Sequence, residues 1–312
     1  MKKTEKNKNK TGSGFLAKDF RQNKEVYVMI IPVIVYYLLF CYVPMFGAVI
    51  AFKRYTPVAG VFGSPWVGFS HFIQFFNSPY FGRLIANTLR ISLTSLVWSF
   101  PAPIILALLM NELKSGRYAR IVQSITYMPH FISIVVICGM IRSFTLDTGI
   151  INTVLSYFGF ERTSFLLHEE YFVPIYVISG VWQQMGWGSI VYLAALSGID
   201  QGLYEAARID GANKWRQVIH ITIPGILPTI ITMLILKLGQ VLGVGYEKIL
   251  LLYNDATSPV AEVISTYVYK KGLIEQNWSF SSAVGLFNSA INLALIVITN
   301  KISKMTTEIG LW

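Results

Sequence analysis

The sequence predicts an all-α integral membrane protein with six transmembrane helices and a helical hairpin between the fourth and the fifth. Three observations carry that prediction. Of the 312 residues, 54% are hydrophobic and only 13% are charged, a balance that places the chain among membrane proteins. A helix needs about 20 apolar residues to cross the hydrocarbon core, and six stretches reach or approach that length. Nearly all the basic residues fall between those stretches, in segments that alternate in charge density along the chain.

Residues 1–25 form a basic tail, "MKKTEKNKNKTGSGFLAKDFRQNKE", with seven lysines and one arginine ahead of the first apolar run. Much of the net charge of +10 sits there, so it marks a cytoplasmic, lipid-facing tail rather than a nucleic-acid surface. The uncharged run 26–52 is too long for a signal-peptide core and lacks a small-residue cleavage site, so it is read as the first span. Further spans are predicted at 84–110, 121–141, 171–197, 225–245 and 280–299. Prolines 32, 44, 101, 103, 129 and 174 fall in or at the ends of these runs, where kinked helices in a packed bundle tolerate them. No short-period repeat, low-complexity tract or heptad run follows the tail, and residues 26–312 are read as one membrane domain.

Counting Lys and Arg on alternate sides gives eight in the tail, three in 111–120, three in 198–224 and two at the carboxyl end. The other side has three, two and three in longer loops. Positive charge is therefore denser on the side of the tail, and both termini are predicted to be cytoplasmic. Arg90 and Lys237 fall within predicted spans, where an isolated charge at mid-bilayer costs about 2.5–3.5 kcal/mol on insertion scales.

Catalytic and metal chemistry find little footing. Cys41 and Cys138 both lie in apolar runs and are read as packing residues, since two such cysteines build neither a disulfide framework nor a tetrahedral metal site. His130, in "YMPHFIS", has no ligand-spaced neighbour and reads as a packed or helix-end polar group. "GVFGSPWVG" lacks the Gly-Lys-Ser/Thr ending of a phosphate loop, and no set of nucleophile, base and orienter appears. The chain is expected to be no enzyme and to bind neither metal nor cofactor.

Polar residues inside spans must find a partner or line a wet path. Trp182, Gln183, Gln184 and Trp187 in "GVWQQMGWGS", Gln240 in "KLGQVLGVGYE", and Asn288 and Asn292 in "GLFNSAINL" combine flat apolar faces with amide donors and acceptors. That mixture suits sugar rings. Interhelical hydrogen bonds and interfacial tryptophan anchoring account for many such residues.

The wettest long stretch of the second half is "EAARIDGANKWRQVIHITIP", 205–224, within the predicted cytoplasmic loop 198–224. Leu203 to Ile209 are good helix formers, Asp210-Gly211 forms a turn, and Asn213 caps a second helix expected to end before Pro224. Ala206, Ala207, Ile209, Ala212, Trp215, Val218 and Ile219 are too many small or apolar residues for so small a hairpin to cover by itself.

The spacing of Glu205-Ala206-Ala207, Gly211, Ile221 and Ile223-Pro224 resembles the signature loop of ATP-binding-cassette importer permeases, with Ile223 where the family commonly has Leu. The segments "YVPMFGAVIAFKRY", "NTLRISL", "QSITYMPHFIS" and "FSSAVGLFNSAINL" are similar to the oligosaccharide and polysaccharide-fragment branch of the maltose-type permeases. The resemblance implies that the hairpin is a coupling helix docked on a cytoplasmic ATPase. Glu205 would then meet a basic group there, Ala206 and Ala207 would allow close approach, and Gly211 would make the bend. Trp215 and Ile219 would hold the second helix against the permease or its partner.

The implied assembly is a bacterial plasma-membrane importer of oligosaccharides working by alternating access. Its other members would be a second homologous permease subunit forming a heterodimer, two ATPase subunits that bind ATP and Mg, and an extracellular substrate-binding protein, with lipid around the spans. No nucleic acid is involved. An ion-coupled secondary transporter is the alternative; it would use membrane-embedded acids, and only Glu247, at the edge of the fifth span, qualifies. A non-transporting scaffold or insertase is a third class, distinguished by whether the chain copurifies with an ATPase and a second permease.

Overall fold

The computed structural model describes residues 22–113, 116–243, 245–307 and 310–311. Of the basic tail, residues 1–21 lie outside the described residues, as does Trp312. Regular structure among the described residues is all helical, apart from an isolated antiparallel bridge between Lys53 and Trp66. Five segments are long and apolar enough to cross a membrane: Lys24–Phe52, Phe81–Asn111, Ile134–Tyr157, Lys214–Leu238 and Trp278–Thr307.

Two predicted spans need correction, and a third falls outside the apolar set. The run 121–141 is not one helix: Arg117–Tyr127 gives way to a 3-10 turn at Met128–Phe131, and a new helix, Ile134–Thr145, starts from the Ser133 cap. Pro129 has no N–H to give a continuing helix, and the Ser133 hydroxyl accepts the Val136 N–H at 3.3 Å. The apolar crossing segment is Ile134–Tyr157 instead. The run 225–245 stops at Leu238, because Gly239, Gly243 and Gly245 follow closely and each costs a helix about 1 kcal/mol relative to alanine. Asn292 Oδ1 takes up the Leu242 N–H freed by that break, at 3.2 Å. The run 171–197 is a helix of 29 residues, Glu169–Ser197, but it is not among the five apolar segments. Its polar middle, "GVWQQMGWGS", dilutes its hydropathy.

That helix is central to the bundle. It packs against Phe81–Ser99, Pro101–Asn111, Arg117–Tyr127 and Ile223–Leu238. At one end Phe172, Val173 and Val177 join Ile91, Ile249 and Leu252 in a buried cluster. At the other, Tyr192 and Leu196 meet Ala107 and Ile226. Between them Gly186 lets two backbones touch, since a Cβ placed there would come within 1.9 Å of the Thr126 carbonyl oxygen. A third cluster, with Phe75, Leu84, Ile264 and Phe280, fastens the last helix to the second segment. By contrast, Lys24–Tyr37 buries no residue against the rest of the chain, and its apolar surface suits lipid.

One buried acid staples two connections to the bundle. Glu262 accepts from Arg83 Nη2 at 3.2 Å and from Lys270 Nζ at 2.8 Å. The Asn87 amide donates to the carbonyls of Pro259 and Glu262 at 2.8 and 3.0 Å. Burial disfavours the Lys270 charge, yet hydrogen bonds to Glu262 and Tyr253 outweigh it and hold the lysine above its ordinary pKa.

Gly186→Ala is expected to lower the melting temperature of the purified protein by several degrees, since overpacking a tight contact costs roughly 1–3 kcal/mol. Gly285→Ala, where nothing lies within 4 Å of the added Cβ, should leave melting unchanged or raised. Thermal unfolding of both variants checks this.

Candidate functional site

Tyr176, Gly180, Gln183, Gln184 and Trp187 recur at helical spacing on one face of Glu169–Ser197. They form a wall of a cavity of about 630 Å³, within the range of small-molecule sites. Ser95, Ser99 and Pro103 supply another wall, with Lys237, Tyr246, Glu247 and Lys248 beside them. A smaller cavity of about 160 Å³ adjoins it, sharing Ser95, Ser99, Tyr176 and Lys237 and adding Ser92 and Gln240. Ser92, Ser95 and Ser99 make a second helical stripe. The hydroxyls of Ser92 and Ser95 are buried with no hydrogen-bond partner.

The sequence candidates divide accordingly. Gln183, Gln184 and Trp187 line the larger cavity and Gln240 the smaller. Trp182, Asn288 and Asn292 line neither, and Asn292 is occupied in bonding the Leu242 N–H. Three further groups stand at or beside the cavity that the sequence candidates for it do not include. His130 stacks on Trp187 with centroids 4.5 Å apart and planes 3° from parallel, and its Nδ1 is 3.0 Å from Gln184 Oε1; the Nδ1–H is thus the donor. It does more than end a helix. Lys248 lies past the fifth apolar run, where no sequence feature singles it out, yet it is buried, donates to the Tyr176 carbonyl at 2.9 Å and lies 4.8 Å over the Tyr176 ring. Lys237 was visible as a cation in a span, which is the signal that could have found it.

The stretch 201–222 is a helical hairpin. The Asp200 side chain caps Gln201–Ile209 by accepting the Gly202 N–H at 2.9 Å. Gly211 turns the chain with φ of +76°, a left-handed conformation that glycine adopts without strain. The Asn213 side chain accepts the Arg216 N–H at 2.9 Å and starts the second helix. That helix does not end before Pro224, as expected. A π-turn at Val218–Thr222 carries it into Ile223–Leu238, and such a wide turn accommodates a proline that supplies no N–H.

Within the hairpin, Gln217 Nε2 donates to the Ala212 carbonyl at 2.9 Å, and the Tyr204 and Thr222 hydroxyls lie 3.0 Å apart. Lys214 Nζ reaches Glu112 Oε2 at 2.6 Å, tying the bend to the end of Pro101–Asn111. Ile209 is 87% exposed and Trp215 76%, while Leu203 and Ile219 are more than half exposed. Neither Trp215 nor Ile219 is therefore covered by its own chain. Glu205, Ala206, Asp210 and Pro224 are exposed as well, and Ala207 and Ala212 are half-buried. Glu205 and Asp210 make no ion pair among the described residues.

Long apolar helices around a polar, ligand-sized cavity, with an uncovered polar hairpin at one side, define a membrane transport component. Residues 99–306 match the family described as binding-protein-dependent transport system inner membrane component. The chain belongs to that family. It is 45% identical over 294 residues to the polygalacturonan/rhamnogalacturonan transport system permease protein YteP of Bacillus subtilis, covering 93% of this chain and 91% of that protein. A solved bacterial ABC transporter involved in the import of the acidic polysaccharide alginate matches at 43% identity and TM-score 0.86, covering 94% of this chain and 99% of that one. The bacterial alginate transporter in complex with an alginate pentasaccharide-bound periplasmic protein matches at 42% identity with the same coverage and TM-score. The ABC importer permease that the hairpin spacing pointed to is borne out, and these relatives are of the carbohydrate branch.

His130→Ala removes both the stack on Trp187 and the bond to Gln184, a loss of about 1 kcal/mol or more. Uptake by the assembled transporter is expected to fall roughly five- to tenfold, on the rule that 1.4 kcal/mol is a factor of ten. His130→Phe, which keeps the stack alone, should fall between, and transport assays on both variants decide it.

Proposed function

We propose that the chain is one membrane-spanning subunit of an ATP-driven oligosaccharide importer, that the cavity beside Glu169–Ser197 is its sugar path, and that the hairpin couples it to a separate ATPase. The hairpin carries this reading. Ile209 and Trp215 are the most exposed of its large apolar side chains, on a short polar element bent sharply at Gly211. Leu203, Ile209, Trp215 and Ile219, all more than half exposed on one short element, support a partner that covers them together. Glu205, exposed and unpaired beside them, offers an acidic contact at the rim.

The finer arrangement follows from the same physics. Six spans result when Glu169–Ser197 is counted with the five apolar segments, its polar face turned to the cavity and away from lipid. Arg90 is exposed on the Phe81–Ser99 helix, about 13.5 Å from its start at 1.5 Å per residue, and it has no ion pair among the described residues. A cation at that depth calls for a protein neighbour rather than hydrocarbon, which suits a second homologous permease subunit in a heterodimer. Two ATPase subunits bind ATP and Mg, this chain binding no cofactor, and an external binding protein delivers the sugar. The cavity opens alternately to each side. Both termini are cytoplasmic by the charge count, so a cysteine introduced near Asn7 should not react with an impermeant reagent in sealed cells.

Glu205→Ala should reduce substrate-stimulated ATPase activity of the complex. The exposed carboxylate contributes little by itself and more once docking buries and pairs it. Gly211→Val should be harsher, because a β-branched residue resists the left-handed backbone. Binding of sugar by the external protein should be untouched. Wild-type transport in both variants, with the ATPase intact, would reject the hairpin as the coupling element.

A further inference from the structure

The helix Arg117–Tyr127 has two unlike faces. Ala119, Val122, Gln123 and Thr126 are half-buried, and the Thr126 carbonyl meets Gly186 of Glu169–Ser197. On the opposite side Arg117, Arg120, Ile121, Ser124 and Ile125 recur at spacings of three and four, all exposed, and line an open groove of about 430 Å³. Neither arginine has an ion pair among the described residues. The acid before them in the chain, Glu112, is bonded to Lys214, which also sets this end of the helix on the hairpin side of the bundle. A helix lying flat on a bilayer keeps its cations and its apolar residues on different faces. Here they share one face and are sorted along it: the guanidinium groups belong to the first turn, and Ile121 and Ile125 follow within about 12 Å of Arg117 at 1.5 Å per residue. Cations first and apolar side chains below is the order of a lipid headgroup and its acyl chain.

We propose that this groove binds an anionic phospholipid, with Arg117 and Arg120 donating to the phosphate, the Ser124 hydroxyl donating to a glycerol ester carbonyl, and an acyl chain lying along Ile121 and Ile125. Two planar guanidinium forks suit a phosphate's oxygens. A zwitterionic headgroup brings its own ammonium, which offsets that attraction, so the charge of the groove selects an anionic lipid. The arginines alone would serve a free phosphate; the apolar continuation of the same groove, with Ile121 50% and Ile125 62% exposed, is what a lipid needs and a free anion does not. The inference stands apart from the importer reading, since it involves neither sugar nor ATP.

The test is native mass spectrometry of the complete transporter titrated with phosphatidylglycerol or with phosphatidylcholine of the same acyl chains. Wild type is expected to bind phosphatidylglycerol roughly tenfold more tightly. Arg117→Gln and Arg120→Gln together should bring the two lipids to parity, and Arg117→Lys with Arg120→Lys should restore part of the preference. Ile121→Ser with Ile125→Ser should weaken both lipids alike. Arg162→Gln, which removes an exposed cation elsewhere, should keep the wild-type preference, and glycerophosphoglycerol, the headgroup without chains, should not compete. All of these positions are exposed, and size-exclusion chromatography confirms that each complex assembles. In membranes, Ile121→benzoylphenylalanine should photo-crosslink to lipid. Equal binding of the two lipids, a preference kept by the double glutamine variant, competition by the chainless headgroup, or a crosslink to a protein subunit in place of lipid would each overturn the inference. None of these results bears on the importer reading, which fails only if the assembled complex takes up no saccharide.

Discussion

A polar side chain in a hydrocarbon solvent has to be turned inward, and the placement of Glu169–Ser197 follows from that constraint. Its middle carries two glutamines, two tryptophans, glycines and a serine, which no lipid-facing position accommodates cheaply. Other helices surround it. Because a helix has more than one face, the same element does two jobs: Phe172, Val173, Tyr192 and Leu196 anchor the buried clusters, while the stripe from Tyr176 to Trp187 lines the cavity. Gly186 adds a backbone contact on which the spacing of the neighbouring helix depends. Packing and path are therefore inseparable along this helix.

The hairpin and the cavity are joined by one continuous helical segment. Lys214–Leu238 has 25 residues, about 37 Å at 1.5 Å per residue. It begins at the bend that displays Trp215 and ends beside Lys237, at the cavity. Past it the chain loses its helix among Gly239, Gly243 and Gly245, and a short helix, Tyr246–Leu252, carries Glu247 and Lys248. A helical segment with a glycine-rich joint at its far end thus joins the exposed hairpin to the cavity wall. The Glu112–Lys214 pair fixes its near end to Pro101–Asn111 only loosely, being exposed. On the opposite side of the bundle the buried Glu262 cluster holds its connections by two ion pairs and amide bonds to the backbone.

Much of this was legible in the sequence because composition and spacing report on solvent. Apolar run length located the membrane segments, and Asp210-Gly211 with Asn213 located the bend and its cap. What failed was continuity. Pro129 and the glycines after Leu238 interrupt runs that hydropathy reads as whole, while Pro224 does not interrupt a helix where it was expected to, because a π-turn absorbs it. The site was legible where it lies on one helix, as Gln183, Gln184 and Trp187 do, and illegible where it depends on tertiary approach. His130 is 57 residues from Trp187 in sequence, and no local pattern announces their stacking. Asn292 shows the reverse error: its amide is spent on backbone that only the fold exposes.

Two lysines show how differently the fold satisfies a buried or half-buried ammonium. Lys270 lies 5.0 Å over the Tyr253 ring and donates to Glu262 at 2.8 Å; ring and carboxylate together satisfy it. Lys248 has the equivalent ring at 4.8 Å, that of Tyr176, but a neutral carbonyl where Lys270 has an acid. The surroundings are otherwise alike in kind, an ammonium on an aromatic face. The carboxylate is the difference between them: Lys270 has its anion within the chain, whereas Lys248 rests on a neutral carbonyl and a ring face at the wall of the cavity.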